Sequence, residues 1–186
     1  MQSKLVRMLV VVFSVALLSS CGGGGDGDGG SVSPSVYLTA LCRELGDWTQ
    51  AAQNRLSQLQ GQVQATATVD ERKDILRNYI DGLIADTQEL IDGVRTVGFP
   101  DVPGGAQTAN AFVTAFEQAK SSLEEGRQRI DDLPEDPQGF SQAADQLGNN
   151  LQTELSSIGD SVSGLGGQDE LKSAFAETPQ CQDIQS

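Results

Sequence analysis

Three side chains in this sequence are thiols: Cys21, Cys42 and Cys181. No two of them stand in a Cys-x-x-Cys pair, the spacing that suits a dithiol redox centre or half of a zinc site. Histidine is absent from all 186 residues. That excludes a histidine-assisted serine or cysteine nucleophile, and haem or copper ligation through imidazole. Gly159-Asp160-Ser161 offers a serine with no histidine to act as its base, and it falls inside a helical stripe, so it reads as part of a helix. Carboxylates remain. Asp131, Asp132, Glu135 and Asp136 cluster in one stretch and have the oxygen chemistry for a divalent cation. A solvated acidic loop accounts for them better. Glu124-Glu125 lacks the Glu-x-x-His partners of a di-metal carboxylate bundle. The expectation is a non-enzymatic protein without metal or cofactor. Its 26 acidic and 12 basic residues give a net charge of −14. Phosphate backbones would be repelled, so nucleic acid is not an expected partner.

The position of the first cysteine is informative. Lys4 and Arg7 precede an apolar run, Met8 to Leu18, broken only by Ser14. Such a run is too short to span a bilayer, which takes about 20 apolar residues, but it suits the apolar region of a secretory signal. Leu18-Ser19-Ser20-Cys21 closes it. A branched apolar residue, two small residues and a cysteine at this place resemble the lipobox of bacterial lipoproteins. The resemblance covers the first 21 residues. It implies that the Cys21 thiol receives a diacylglyceryl group, that residues 1–20 are removed as a signal peptide, and that the new amine is often acylated. Two or more acyl chains hold a protein stably on a membrane. Removing 20 of 186 residues leaves 166; Lys4 and Arg7 go with them, leaving 10 basic against 26 acidic residues, net −16. Eight arginines against four lysines suggest a high-GC genome. The expected address is therefore the outer face of an actinobacterial-type plasma membrane, with an outer membrane as the alternative.

Residues 21–33 are dominated by glycine (GGGGDGDGG) and read as a flexible tether. A dozen such residues have an r.m.s. reach of roughly 20 Å and about 40 Å at full stretch. Asp26 and Asp28 open a faint calcium-loop pattern, but its fifth and twelfth positions hold Gly30 and Tyr37. Residues 34–186 then form one domain. Ser33-Pro34 suits a helix start. Leu38, Leu41, Leu45, Trp48, Ala52, Leu56, Leu59 and Val63 follow at close to the helical period. Thr68-Val69-Asp70-Glu71 matches a capping box and opens a second helix. That helix carries Leu76, Ile80, Leu83, Leu90, Val94 and Val97, with Ile75, Tyr79, Ile84 and Ile91 widening the stripe. A breaker-rich loop, Phe99 to Gly105, leads to a third helix with Ala109, Phe112, Val113, Phe116, Ala119, Leu123 and Ile130. Asp136-Pro137 caps a fourth, which carries Phe140, Ala144, Leu147, Leu151, Leu155, Ile158, Val162 and Leu165. Gly164, Gly166 and Gly167 end it, and a short fifth helix offers Leu171, Ala174 and Phe175. No stretch alternates with period two for long, so no sheet is expected. The fold class is all-α: an antiparallel four-helix bundle with a short fifth C-terminal helix.

If the lipobox uses Cys21, an even number of cysteines is left, and an extracytoplasmic compartment permits disulfides. A Cys42–Cys181 bond is expected, pinning the C-terminal tail to the first helix; two free thiols are the alternative. Gly82 and Gly93, 11 residues apart on one helical face, are expected to admit a neighbouring helix closely. Trp48, Tyr79, Leu83, Phe112, Phe116 and Phe140 are expected in the core, and are the residues that would line an apolar cavity if one existed. The lipobox, the glycine tether, a cysteine early in helix one and another near the C-terminus together resemble small helical envelope lipoproteins of actinobacterial type. Many of these have no assigned function, and the resemblance carries over no catalytic residue. The expected function is a lipid-anchored interaction or adaptor module at the cell envelope, whose partner is another envelope protein. A carrier holding an apolar ligand or lipid between its helices is the alternative.

Overall fold

A computed structural model describes residues 30–65, 68–163 and 169–183. The expected signal peptide, Cys21 and the tether as far as residue 29 lie outside these residues. So do Gly164, Leu165, Gly166 and Gly167, and the side chains of Leu155, Ile158 and Val162. The elements are β1 (Ser31–Val32), α1 (Pro34–Ala65), α2 (Val69–Val97), β2 (Phe99–Pro100), α3 (Gly105–Arg129), α4 (Pro137–Ser163), α5 (Asp169–Glu177) and α6 (Pro179–Asp183). The molecule is predominantly helical, as the apolar periodicity requires.

Local chemistry sets the helix starts where the sequence places them. Pro34 opens α1, and the Ser33 hydroxyl accepts from the Val36 amide at 3.4 Å. Thr68 caps α2: its hydroxyl oxygen accepts from the Glu71 amide, and the Glu71 carboxylate accepts from the Thr68 amide, each at 3.3 Å. The Thr68 hydroxyl also donates to that carboxylate at 2.7 Å. These bonds hold the Glu71 carboxyl below its ordinary pKa, because they favour the charged form. The Asp136 carboxylate accepts from the Gly139 amide at 2.8 Å at the start of α4. Gly98 ends α2 with φ 89° and Gly104 precedes α3 with φ 75°, left-handed values that favour glycine.

Side-chain partners give the direction of packing. Between α1 and α2, Glu44 lies against Gly93, Trp48 bonds Thr87 and Arg55 bonds Asp86. Partners descend on one helix as they ascend on the other. Between α2 and α3 the pairs are Arg95 with Glu117, Gln88 with Lys120 and Asp81 with Arg127, in the same opposed order. Helix α4 packs on α3, with Leu151 against Gly126. Helices α5 and α6 pack on α1.

Two features depart from the sequence expectation. Ser31 and Val32, assigned to the tether by composition, pair in parallel with Phe99 and Pro100. Asp101 donates its amide to Val32 O at 2.7 Å, and Phe99 donates to Gly30 O at 3.4 Å. A two-residue ladder is too short to produce an alternating apolar pattern, which is why none was visible. Pro100 is tolerated because it lies on an edge, where no donor is required of it. The second departure is α6, a single turn between Pro179 and Asp183 that carries Cys181.

The buried residues form three clusters. One joins Ile80, Leu83, Leu123, Ile130, Leu133, Phe140 and Leu147. A second joins Leu90, Ile91, Val94, Phe112, Val113 and Phe116. The third joins Tyr37, Leu38, Cys42, Ala109, Leu171 and Cys181 at the end where β1 enters. Lys73, 7 % exposed, belongs to none of them. Its ammonium donates to the Asp131 carbonyl at 3.4 Å, just past the C-terminus of α3, where a cation offsets the helix dipole.

Candidate functional site

The expected disulfide is present: Cys42 on α1 and Cys181 on α6 are bonded across 139 residues, with Cα atoms 5.0 Å apart. Cys42 is 1 % exposed and Cys181 0 %. Around them Val32, Phe99 and Val102 pack from the β1–β2 side, and Leu41, Val97, Ala174 and Phe175 from the helices. Strand β1 and helix α6 are thus held in one cluster. Both are fastened to the loop between α2 and α3 as well.

Two polar groups complete this end. Thr178, 4 % exposed, donates to the Ala174 carbonyl at 2.7 Å and so continues the α5 hydrogen-bond pattern. The phenol of Tyr37 has no hydrogen-bond partner among the described residues, and burial pushes its pKa up. Sequence reasoning had not singled out Tyr37. Its place four residues before Leu41 is the signal that puts it on the inner face.

The six residues expected to bound any cavity divide between two clusters. Trp48, Phe112 and Phe116 come together: the Trp48 and Phe116 rings meet edge-on at 5.8 Å, and Phe112 and Phe116 lie 4.7 Å apart. Tyr79, Leu83 and Phe140 sit in the other cluster, and burial raises the Tyr79 pKa. The Trp48 indole N–H donates to the Thr87 hydroxyl at 3.1 Å. That hydroxyl donates to the Leu83 carbonyl at 2.7 Å, and Thr87 is 0 % exposed. A polar residue was thus missed in the middle of the α2 stripe. Thr87→Val should orphan a half-buried indole N–H and lower stability by about 1–2 kcal/mol. Trp48→Phe combined with Thr87→Val should cost less than the sum of the two single changes, because the pair is lost only once. Urea unfolding midpoints of the three variants test this.

A cavity of about 20 Å³ lies between α2 and α3, lined by Val94, Gly98, Phe99, Ala106, Ala109 and Val113 among others. That is room for about one water, against several hundred Å³ for a typical ligand pocket.

The two glycines on α2 face the ends of long α1 side chains, which fill the space where a closely approaching helix was expected. A Cβ at Gly93 would stand 2.7 Å from the Glu44 carboxyl, and one at Gly82 would stand 2.1 Å from the Arg55 guanidinium. Arg55 crosses Gly82 to reach Asp86, donating through Nε at 2.5 Å and Nη2 at 2.8 Å. The Asp86 carboxylate stabilises the guanidinium charge and raises the Arg55 pKa. Glycine at 82 is thus the space an interhelical ion pair occupies.

The acidic loop is tied into the helices. Asp131 accepts from Arg77 Nε at 2.8 Å and lies 3.9 Å from Arg127, while Asp136 caps α4. Among the described residues, no group of three or more His, Cys, Asp or Glu side chains is placed to hold a metal ion. Among the same residues, no helix is long and apolar enough to cross a membrane. No protein-family model, curated protein or solved structure matches the chain.

Proposed function

We propose that this chain is a lipid-anchored extracytoplasmic lipoprotein whose helical domain is a non-enzymatic interaction module at the cell envelope. In this reading Cys21 carries the lipid, residues 21–30 form the tether, and the four long helices form an antiparallel bundle held clear of the headgroups. The observation that carries the reading is the way the domain is rooted. The strand that follows the tether, the α2–α3 loop and the disulfide-bonded C-terminus share one apolar cluster. Such a root leaves the far ends of α2, α3 and α4 facing outward. Trp48, Phe112 and Phe116 pack against each other, and the cavity lined by Val94, Ala109 and Val113 holds about one water; among the described residues these contacts favour an adaptor over a carrier.

The charge indicates the partner's chemistry. At net −16 after signal removal, the chain would attract a cationic surface on another envelope protein. Zero-length carboxyl-to-amine crosslinking in intact envelopes tests this. The expected result is one reproducible crosslinked species whose yield falls as ionic strength rises past about 0.15 M. Absence of any reproducible species across repeated preparations would contradict the reading. A non-covalent lipid copurifying with the domain would favour the carrier instead.

A further inference from the structure

We propose that α5 and α6 form a redox-latched cover: reducing Cys42–Cys181 releases residues 169–183 from α1 while the two other core clusters stay folded. The cover is built from 9-residue and 5-residue helices. Isolated helices shorter than about 12 residues are marginal in water, so these two depend on what they pack against. They pack on α1 and on each other. Among the described residues, the Ile80–Phe140 and Leu90–Phe116 clusters draw none from 169–183. The disulfide is therefore the covalent hold on a unit that the rest of the core does not need.

What lies beneath the cover points the same way. Tyr37 and Leu38 are 2 % and 5 % exposed and share their cluster with Leu171 and Cys181. The Tyr37 phenol is buried without a hydrogen-bond partner among the described residues, so closure has a cost that opening relieves. The latch holds the closed form against that cost.

The chemistry is a two-electron exchange. One thiolate of an external dithiol attacks a sulfur of the Cys42–Cys181 bond. That bond breaks and the other cysteine leaves as a thiolate, which takes up a proton. The second thiol of the reagent then displaces the first cysteine and closes its own disulfide, leaving two protein thiols. With the two cysteines 1 % and 0 % exposed, a thiolate reaches the sulfurs only when the cover frays transiently with the bond intact, and reduction then makes the release lasting. Reduction should therefore be gated by opening, and its rate should level off as dithiol concentration rises.

The test uses the full chain in detergent micelles, with dithiothreitol as reductant and amide hydrogen exchange read by mass spectrometry. The expected result has three parts. Thiol release saturates with dithiothreitol. Exchange of residues 171–183 and of Tyr37 to Cys42 then rises about 100-fold. Exchange across Ile80 to Val94 and Phe112 to Leu123 stays within about threefold of the oxidised protein. A rate that stays linear in dithiothreitol, or fully reduced protein with 171–183 still protected, would overturn the proposal. Equal loss of protection throughout α2 and α3 would overturn it too, making the bond a staple for the whole fold. The double variant Cys42→Ser/Cys181→Ser repeats the comparison without reductant and should match the reduced protein; failure of that variant to fold would count with the global outcome.

Discussion

Replacing Cys21 with alanine is expected to abolish lipid incorporation. On the proposed anchoring, the thioether-linked diacylglyceryl group is the hold on the membrane, and each buried methylene contributes about 0.8 kcal/mol. Two long acyl chains make release negligible on the timescale of growth; without the thiol there is nothing to alkylate. The same substitution removes the residue before which the signal is cut, so the variant should also retain residues 1–20 and run correspondingly larger. Metabolic labelling with a radioactive fatty acid reads the first effect, and intact mass reads the second. Label on the alanine variant equal to wild type would refute lipidation at this position.

A second large effect is expected at a residue that touches no ligand. Gly105→Ala should destabilise the domain by about 3 kcal/mol, lowering Tm by about 10 °C. A Cβ at this buried position would stand 1.9 Å from the Pro100 carbonyl oxygen and 3.0 Å from its carbon. Neither atom is free to retreat. Pro100 has a ring-fixed φ, its oxygen accepts from the Val102 amide at 2.8 Å, and it pairs in register with Val32. Backbone must move, and the piece that moves is the root through which β1 joins the domain. Gly82→Ala is the control. Its Cβ meets the far end of the Arg55 side chain, which can swing aside at the expense of the partly exposed pair with Asp86. That change should cost about 1 kcal/mol or less. Calorimetry on both variants decides the matter: equal losses would mean that the β2–α3 junction is softer than its geometry implies.

Much of the helical layout was legible because it rests on periodicity and caps. Thr68 and Glu71 form the expected box, Asp136 caps α4, and Phe112, Phe116 and Leu123 are buried as their spacing requires. The disulfide was legible from cysteine arithmetic once Cys21 was set aside. What escaped had physical reasons. Lys73 and Thr87 occupy inner positions of α2, where Val69, Lys73, Leu76, Ile80, Leu83, Thr87, Leu90 and Val94 alternate steps of four and three. Reading by hydrophobicity alone skips both. Each is buried through a hydrogen bond to a distant or local carbonyl, Asp131 for the lysine and Leu83 for the threonine. The β1–β2 pair escaped because two residues carry no period, and because its register depends on contacts 68 residues apart in sequence. The loop glycine at 105 looked like one breaker among several; its tight contact with Pro100 is a tertiary fact.

The most direct test of the account is native mass spectrometry of the protein extracted from its own envelope, followed by the same measurement after unfolding. The account predicts a folded mass equal to residues 21–186 with covalent acyl groups on Cys21, less two hydrogens for Cys42–Cys181, and no further mass lost on unfolding. A non-covalent species of several hundred daltons, present in the folded protein and gone from the unfolded one, would contradict it and make the domain a carrier.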